Sequence, residues 1–240
     1  MAVASPGPAP RRALLAGASG LVGSRVLALL RASAAYAEVH ALVRRPLQAA
    51  LRGPADGTGA RVVEHVIDFS ALVRQPDFPS VDDVYCCLGT TIRAAGSRQA
   101  FRQVDFDAVV SVARLAKRHG ATRLAFVSAL GADAGSRLFY NRVKGEAEAE
   151  LARLGYASLT LLRPSLLDGD RTESRPGERL ALALTRPIAS LLPARWRPVA
   201  ADAVAACMVE SVLRGEPGLR VIESDRITAA ARRSVDALQR

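Results

Sequence analysis

Tyr140 and Lys144 stand four residues apart in the stretch LFYNRVKGEAEAEL, residues 138–151. On a helix this spacing puts both side chains on one face, about one turn apart. A phenol, with an ordinary pKa of about 10, is a poor acid or base at neutral pH. A neighbouring ammonium favours the phenolate and brings that proton within chemical reach. The choice of lysine is informative, because of the 33 Lys and Arg residues only Lys117 and Lys144 are lysine. A compact ammonium with three rotatable donors can serve two partners at once, whereas a guanidinium is a wide planar fork. Ser128, in FVSALGAD, adds a hydroxyl able to hydrogen-bond a carbonyl oxygen; the alternative is a strand-end serine satisfied by its neighbours. Ser136 is nearer to Tyr140 but falls in a loop and ranks below it. The chemistry this set suits is proton transfer to or from a carbonyl or alcohol oxygen.

These residues need a scaffold, and the rest of the chain predicts one. Short apolar runs at 12–18, 38–44, 60–68, 82–89, 122–129, 157–164 and 219–224 read as strands. Helical patterns at 20–33, about 98–118, 138–155 and 201–215 alternate with them, and a last helix follows. Strands alternating with helices of this length predict successive βαβ units, hence a parallel sheet covered on both faces. The fold class is α/β, a single Rossmann-type doubly wound domain over 11–240. MAVASPGPAP at 1–10 reads as a disordered tail with no secretion signal. The Pro- and Arg-bearing segment around 168–198 breaks the alternation and reads as a substrate-facing insertion, where Arg171, Arg175 and Arg179 could meet an anionic substrate or simply face solvent.

LLAGASGLVG sets Gly17, Gly20 and Gly23 between the first strand and the first helix, in a GxxGxxG spacing. Glycines here let the backbone approach a pyrophosphate, whose charge meets the N–H groups and positive end of the helix. Gly17, Ser19, Gly20, Leu21, Val22 and Gly23 are the candidates for a dinucleotide's phosphates. The second strand ends in HALVRRPL, with Arg44 and Arg45 where an NAD site usually carries an acid. That favours NADP(H) over NAD(H). Asp68, after the third strand, is placed to touch an adenine or to cap a helix. Lys144 could reach the cofactor ribose as well as Tyr140.

Half of the residues are hydrophobic, and no run of 18 apolar residues predicts a membrane span. The net charge of +10 is spread along the chain and aromatics are 5%, so the reading is a solvated Arg-rich surface without a nucleic-acid partner. Cys86, Cys87 and Cys207 lie in apolar surroundings without metal-ligand spacing; they read as reduced core residues of a cytoplasmic protein, with no metal site.

The glycine loop, Ser128 at the end of the fifth strand and YxxxK on the next helix resemble the short-chain dehydrogenase/reductase superfamily. More narrowly, YCCLGTT, QVDFDAVVSVARLAKRHG, SALGAD, FYNRVKGEAEAEL and LLRPSLLDGDRTESRPGE resemble its atypical branch of Tat-interacting, NADPH-binding oxidoreductase-like proteins, over residues 12–215. The resemblance implies a sheet of six or seven parallel strands and an NADPH-dependent oxidoreductase. In it Tyr140 is the general acid, Lys144 its activator and ribose contact, and Ser128 the carbonyl polariser. It further implies that Leu88, Gly89 and Thr90 line the cofactor and that Arg163 and Pro164 meet the nicotinamide side. Asp105 stands where the superfamily often carries a relay Asn. A small carbonyl or alcohol substrate is implied, and a homodimer by the superfamily's habit. The alternative within the branch is a non-catalytic NADPH-binding regulator.

Overall fold

The computed structural model describes residues 10–52, 59–74, 78–168 and 193–229. Most of the expected tail at 1–10 and of the insertion, with Arg171, Arg175 and Arg179, lies outside the described residues.

The chain runs β1 (Arg11–Ala16), α1 (Leu21–Ala32), β2 (Tyr36–Val43), α2 (Ala49–Arg52), β3 (Arg61–Val66) and β4 (Asp83–Cys86). Then come α3 (Ile92–Ala95), α4 (Arg98–Arg102), a π-helical turn (Gln103–Ala108), α5 (Val109–Arg118), β5 (Arg123–Val127), α6 (Phe139–Arg153) and β6 (Ser158–Arg163). The short strands β7 (Leu167–Asp168) and β8 (Val199–Ala200) form a ribbon; α7 (Ala201–Arg214) and β9 (Gly218–Glu223) follow. Seven strands build one parallel sheet in the order β3-β2-β1-β4-β5-β6-β9. The expected doubly wound Rossmann-type sheet is therefore observed. Because every strand runs the same way, all the loops leaving the strands open on one edge. The order reverses between β1 and β4, the place where such sheets bind ligands.

The central strands read as nearly unbroken apolar runs because both faces are covered. Ala13, Leu15, Val39, Ala41 and Tyr85 pack beneath α1 and α7. Leu14, Leu42, Val84, Phe126 and Leu161 pack beneath α5 and α6. At the far, amino-terminal edge, buried Asp83 pairs with Arg11 (3.1 Å) and Arg123 (2.5 Å) and accepts the Tyr36 hydroxyl at 2.6 Å. This edge is closed by charge pairing, which leaves the opposite edge for chemistry.

The sequence predicts one plain helix over about 98–118. The observed helical run carries a π turn at Gln103–Ala108, which turns Asp105 into the protein, fully buried. A π turn inside an α-helix widens the coil by one residue and commonly accompanies function.

Candidate active site

The loop after β1 is shaped by close approach. Gly17 has φ +89°, and a Cβ there would stand 2.7 Å from the Cys87 carbonyl oxygen; one at Gly23 would stand 2.0 Å from the Gly17 carbonyl oxygen. Neither position tolerates a side chain, so the turn and the seating of α1 on β1 both depend on glycine. Gly20 precedes α1 without a side-chain cap, and the first turn of α1 holds no acid. Its N–H groups and positive end are open to an anion. Ser19 and Gly20 are exposed and Leu21 is half-buried, whereas Val22 points into the core, so Val22 can offer a ligand only its backbone.

Arg44 and Arg45 are exposed directly past the end of β2, beside the β1 loop because β2 pairs with β1. Asp68 is exposed past β3, and its Oδ1 accepts the Ser70 backbone N–H at 2.9 Å. It caps the 3-10 turn Phe69–Arg74, the alternative that the sequence left open.

The edge beyond β4 and β5 carries Lys144, Asp105, Gly89 and Ser128. The Lys144 ammonium is buried in a box. Its Nζ lies 2.9 Å from Asp105 Oδ1, 3.4 Å from the Val127 carbonyl oxygen and 5.0 Å from the centre of the Phe126 ring. Asp105 Oδ2 accepts the Thr90 backbone N–H at 2.9 Å. Gly89 forms the open side, since a Cβ there would come within 3.4 Å of both Lys144 Nζ and Asp105 Oδ1. Leu88 and Thr90 flank it, half-buried. Burial pushes the Lys144 pKa down, but the charges of Asp105 and Tyr140 outweigh it and the net shift is upward. The ammonium therefore stays charged while buried. Tyr140, half-buried one turn earlier on α6, packs at a tilt against Phe101 with ring centres 5.3 Å apart.

Ser128 closes β5 with its backbone N–H on the Leu162 carbonyl oxygen. Its Oγ is buried and has no hydrogen-bond partner among the described residues. A buried hydroxyl left unsatisfied is costly unless a ligand completes it. The strand-end serine satisfied by its neighbours is thus not what is observed. These features fit a dinucleotide with a carbonyl substrate above it: a glycine cradle, a charged Lys144 behind an exposed glycine, and an orphaned hydroxyl.

The Arg163 guanidinium grips Glu148 of α6 at 3.0 and 2.6 Å and reaches Glu223 of β9 at 3.2 Å, which holds it between α6 and β9. Pro164 is buried, and its carbonyl oxygen accepts the Leu130 N–H at 2.9 Å, tying the β5 and β6 loops together. The cysteines behave as core residues: burial pushes the Cys86 and Cys207 thiols up to about 11 and Cys87 well above its usual range. Among the described residues no group of His, Cys, Asp and Glu could hold a metal ion.

Asp105, which the resemblance placed where a relay Asn is common, is seen as the buried counter-ion of Lys144 at 2.9 Å. One contributor escapes a reading of motifs: Gly145, where a Cβ would stand 2.2 Å from Ala134 N, so the loop after Ser128 lies directly on α6.

A model of an NAD(P)H-binding family matches residues 17–214, from the glycine loop to the end of α7. The chain belongs to this NAD(P)H-binding family. Among relatives of the family member described here, the rat Protein HTATIP2 is 38% identical over 181 residues, covering 75% of this chain and 71% of its own. A protein of Emericella nidulans named Protein fmp52, mitochondrial, is 34% identical over 168 residues, covering 70% of this chain and 71% of its own. The resemblance to the Tat-interacting branch is thereby borne out. A 3-oxoacyl-[acyl-carrier protein] reductase from Brucella melitensis in complex with NAD shares the fold, with a TM-score of 0.68 at 16% identity over 93% of this chain and 99% of that one. A similar reductase from Agrobacterium tumefaciens with NADP bound has a TM-score of 0.67 at 16% identity, over 90% and 93%.

One expectation is corrected. The cytoplasmic reading is overturned by relatives from several fungi whose names call them mitochondrial. Cys86 and Cys207 are buried and Cys87 half-buried, a core placement that does not single out one compartment. Among the described residues no helix is long and apolar enough to cross a membrane.

Proposed function

We propose that this chain is an NADPH-dependent oxidoreductase that interconverts a carbonyl and an alcohol. The observation that carries the reading is Ser128 Oγ, buried and unpartnered at the edge where Lys144 is held charged. Bound NADPH supplies a hydride to the carbonyl carbon. Tyr140 gives its hydroxyl proton to the carbonyl oxygen, and the phenolate left behind regains a proton from solvent. Ser128 donates a hydrogen bond to the same oxygen, stabilising the charge that develops on it. Lys144, behind Gly89, holds the nicotinamide ribose and supports the phenolate. Gly17, Ser19, Gly20, Gly23 and the backbone of Leu21 and Val22 hold the pyrophosphate, and Arg44 and Arg45 hold the ribose 2′-phosphate. A mitochondrial location follows from the relatives' names. Tyr140→Phe tests the reading: NADPH oxidation against a panel of aldehydes and ketones falls to background while NADPH affinity stays within about twofold, the pattern of a group needed for the chemical step. Undiminished turnover would remove Tyr140 from the role.

A second reading, an NADPH-binding regulator without turnover, is favoured by one observation: the Lys144 ammonium is already engaged by Asp105. Tight NADPH binding with no oxidation across the whole panel would put it in first place.

A further inference from the structure

We propose that Arg98 is a specificity-determining residue, which receives an anionic group carried by the carbonyl substrate several bonds from the reacting carbon. The proposal rests on the oxidoreductase reading above and names the substrate class of that site: carbonyl compounds bearing a carboxylate or a phosphate. Arg98 opens α4, which follows the loop after β4 and so begins at the carboxyl edge of the sheet. One turn on, fully buried Phe101 touches both Phe139 and Tyr140, with ring centres 5.9 and 5.3 Å apart. The exposed Arg98 guanidinium lies over the same Phe139 ring, 5.3 Å from its centre. A run of rings in contact thus joins Arg98 to the proposed acid and sets it at the rim of the site.

This rim has more cations than anions. The guanidinia of Arg98, Arg102 and Arg142 gather here, and Glu146 is shared by two of them: it pairs with Arg102 and lies 4.0 Å from Arg142 Nε. Arg142 is also 5.7 Å from the Phe139 ring centre, and its Nη1 donates to the Ser136 carbonyl oxygen at 2.9 Å. The donors of Arg142 are therefore engaged. Arg98 has no ion pair and no side-chain hydrogen bond among the described residues. Exposed Arg137, just before α6, adds a further positive charge. Asp133, the acid of the loop before α6, turns its Oδ1 to the Gly135 N–H at 2.9 Å. Two guanidinia on one ring repel each other, and an anion arriving there relieves the repulsion. Stacking on the ring also orders the Arg98 guanidinium while leaving its planar fork of donors unspent, the geometry that a carboxylate or phosphate takes up bidentately.

Three aldehydes that differ in charge test this: benzaldehyde, 4-carboxybenzaldehyde and 4-(trimethylammonio)benzaldehyde, each reduced with NADPH. The native chain should favour the carboxylate over the neutral aldehyde by about tenfold or more in kcat/KM, the worth of a charge-assisted hydrogen bond. Raising the salt from about 0.05 M to about 0.5 M should shrink that ratio, since the site lies at the surface. Arg98→Gln should abolish the preference, with benzaldehyde turnover and the NADPH dissociation constant within about twofold of native. Arg98→Glu should turn the preference toward the cationic aldehyde, a reversal that altered packing alone does not produce. A native chain without the preference, or a preference kept in Arg98→Gln, overturns the proposal. Should none of the three be reduced, calorimetric titration of 4-carboxybenzaldehyde into the protein with NADPH decides: no binding, or equal binding by Arg98→Gln, overturns it. The oxidoreductase reading fails on different evidence, absent NADPH binding or turnover indifferent to Tyr140→Phe, so the two failures are distinguishable.

Discussion

Gly145→Ala sets two opposed effects against each other, and the structure says which wins. In an exposed helix interior, replacing Gly by Ala stabilises by about 1 kcal/mol. On α6, a Cβ at residue 145 would stand 2.2 Å from both Ala134 N and the Asp133 carbonyl carbon and 2.5 Å from Asp133 Cα. Unstrained heavy-atom contacts lie near ~3.5 Å, so the loop has to retreat by about 1 Å or more. Its obstructing atoms are backbone, with the Asp133 N–H bonded to the Asn141 carbonyl oxygen at 3.1 Å, so no side chain can rotate aside. Overpacking of this kind costs about 1–3 kcal/mol, enough to exceed the helix gain. The net loss is up to about 2 kcal/mol, and for a chain of this size each kcal/mol shifts the melting temperature by about 2–4 °C, so a fall of up to about 8 °C is expected by calorimetry. The retreating loop leads straight back to Ser128, and a misplacement of about 1 Å at a reacting centre can cost about 100-fold in turnover. NADPH affinity, set largely at the β1 loop, should change by less than about threefold, an energy below ~1 kcal/mol. A melting temperature that rises, with turnover intact, would refute the claim that this glycine is a packing requirement.

Three further outcomes follow from the same geometry. Gly89→Ala adds a methyl 3.4 Å from Lys144 Nζ, an ordinary contact, so apo stability should hold. NADPH binding should weaken by about 10- to 100-fold, the worth of a charge-assisted hydrogen bond to the ribose; an unchanged dissociation constant would detach Lys144 from the cofactor. Arg44→Ala/Arg45→Ala should weaken NADPH by at least about tenfold and NADH by less than about twofold in parallel fluorescence titrations, and equal losses would count against a 2′-phosphate site. Stability should also depend on alkaline pH: Tyr36 and Tyr156 are raised by burial, and Lys144 is raised on balance by its anionic neighbours. The folded protein keeps these protons where the unfolded chain releases them. Urea-unfolding stability therefore declines first above about pH 8.5, where the unfolded chain's cysteines ionise while Cys86, Cys87 and Cys207 stay protonated in the fold, and more steeply above about pH 10, a second decline that Tyr36→Phe should shallow.

What the sequence made legible is whatever is written at fixed local spacing. Gly17, Gly20 and Gly23 declare a turn and its helix, and Tyr140 with Lys144 declare one face of α6, because neither statement needs a distant partner. The alternation of strands and helices gave the parallel sheet for the same reason, while the strand order that opens the site came from the structure. Long-range pairing was not legible. Nothing near Arg163 announces Glu148 and Glu223, and an Arg at the end of a strand looks free until the helix and edge strand are laid beside it. Asp105 was named by resemblance, but its burial against Lys144 was not legible, since a helical wheel drawn with a constant period over 98–118 drifts in register across the π turn.

The single buried lysine of a chain that otherwise writes its positive charges almost entirely as arginine is explained by the shape of its box. Nζ has a ring beneath it, a carbonyl oxygen and a carboxylate at its sides, and an open face over Gly89. An ammonium fills that space with a point charge and still points a donor outward. A guanidinium is planar and wider, with donors in a fixed fork, and would press on Phe126 or displace Asp105. The Asp105 carboxylate also explains why the position has to be cationic, because a neutral residue would strand a fully buried anion. Size is fixed by the walls and charge by the counter-ion, and the two constraints together leave lysine as the side chain that satisfies both.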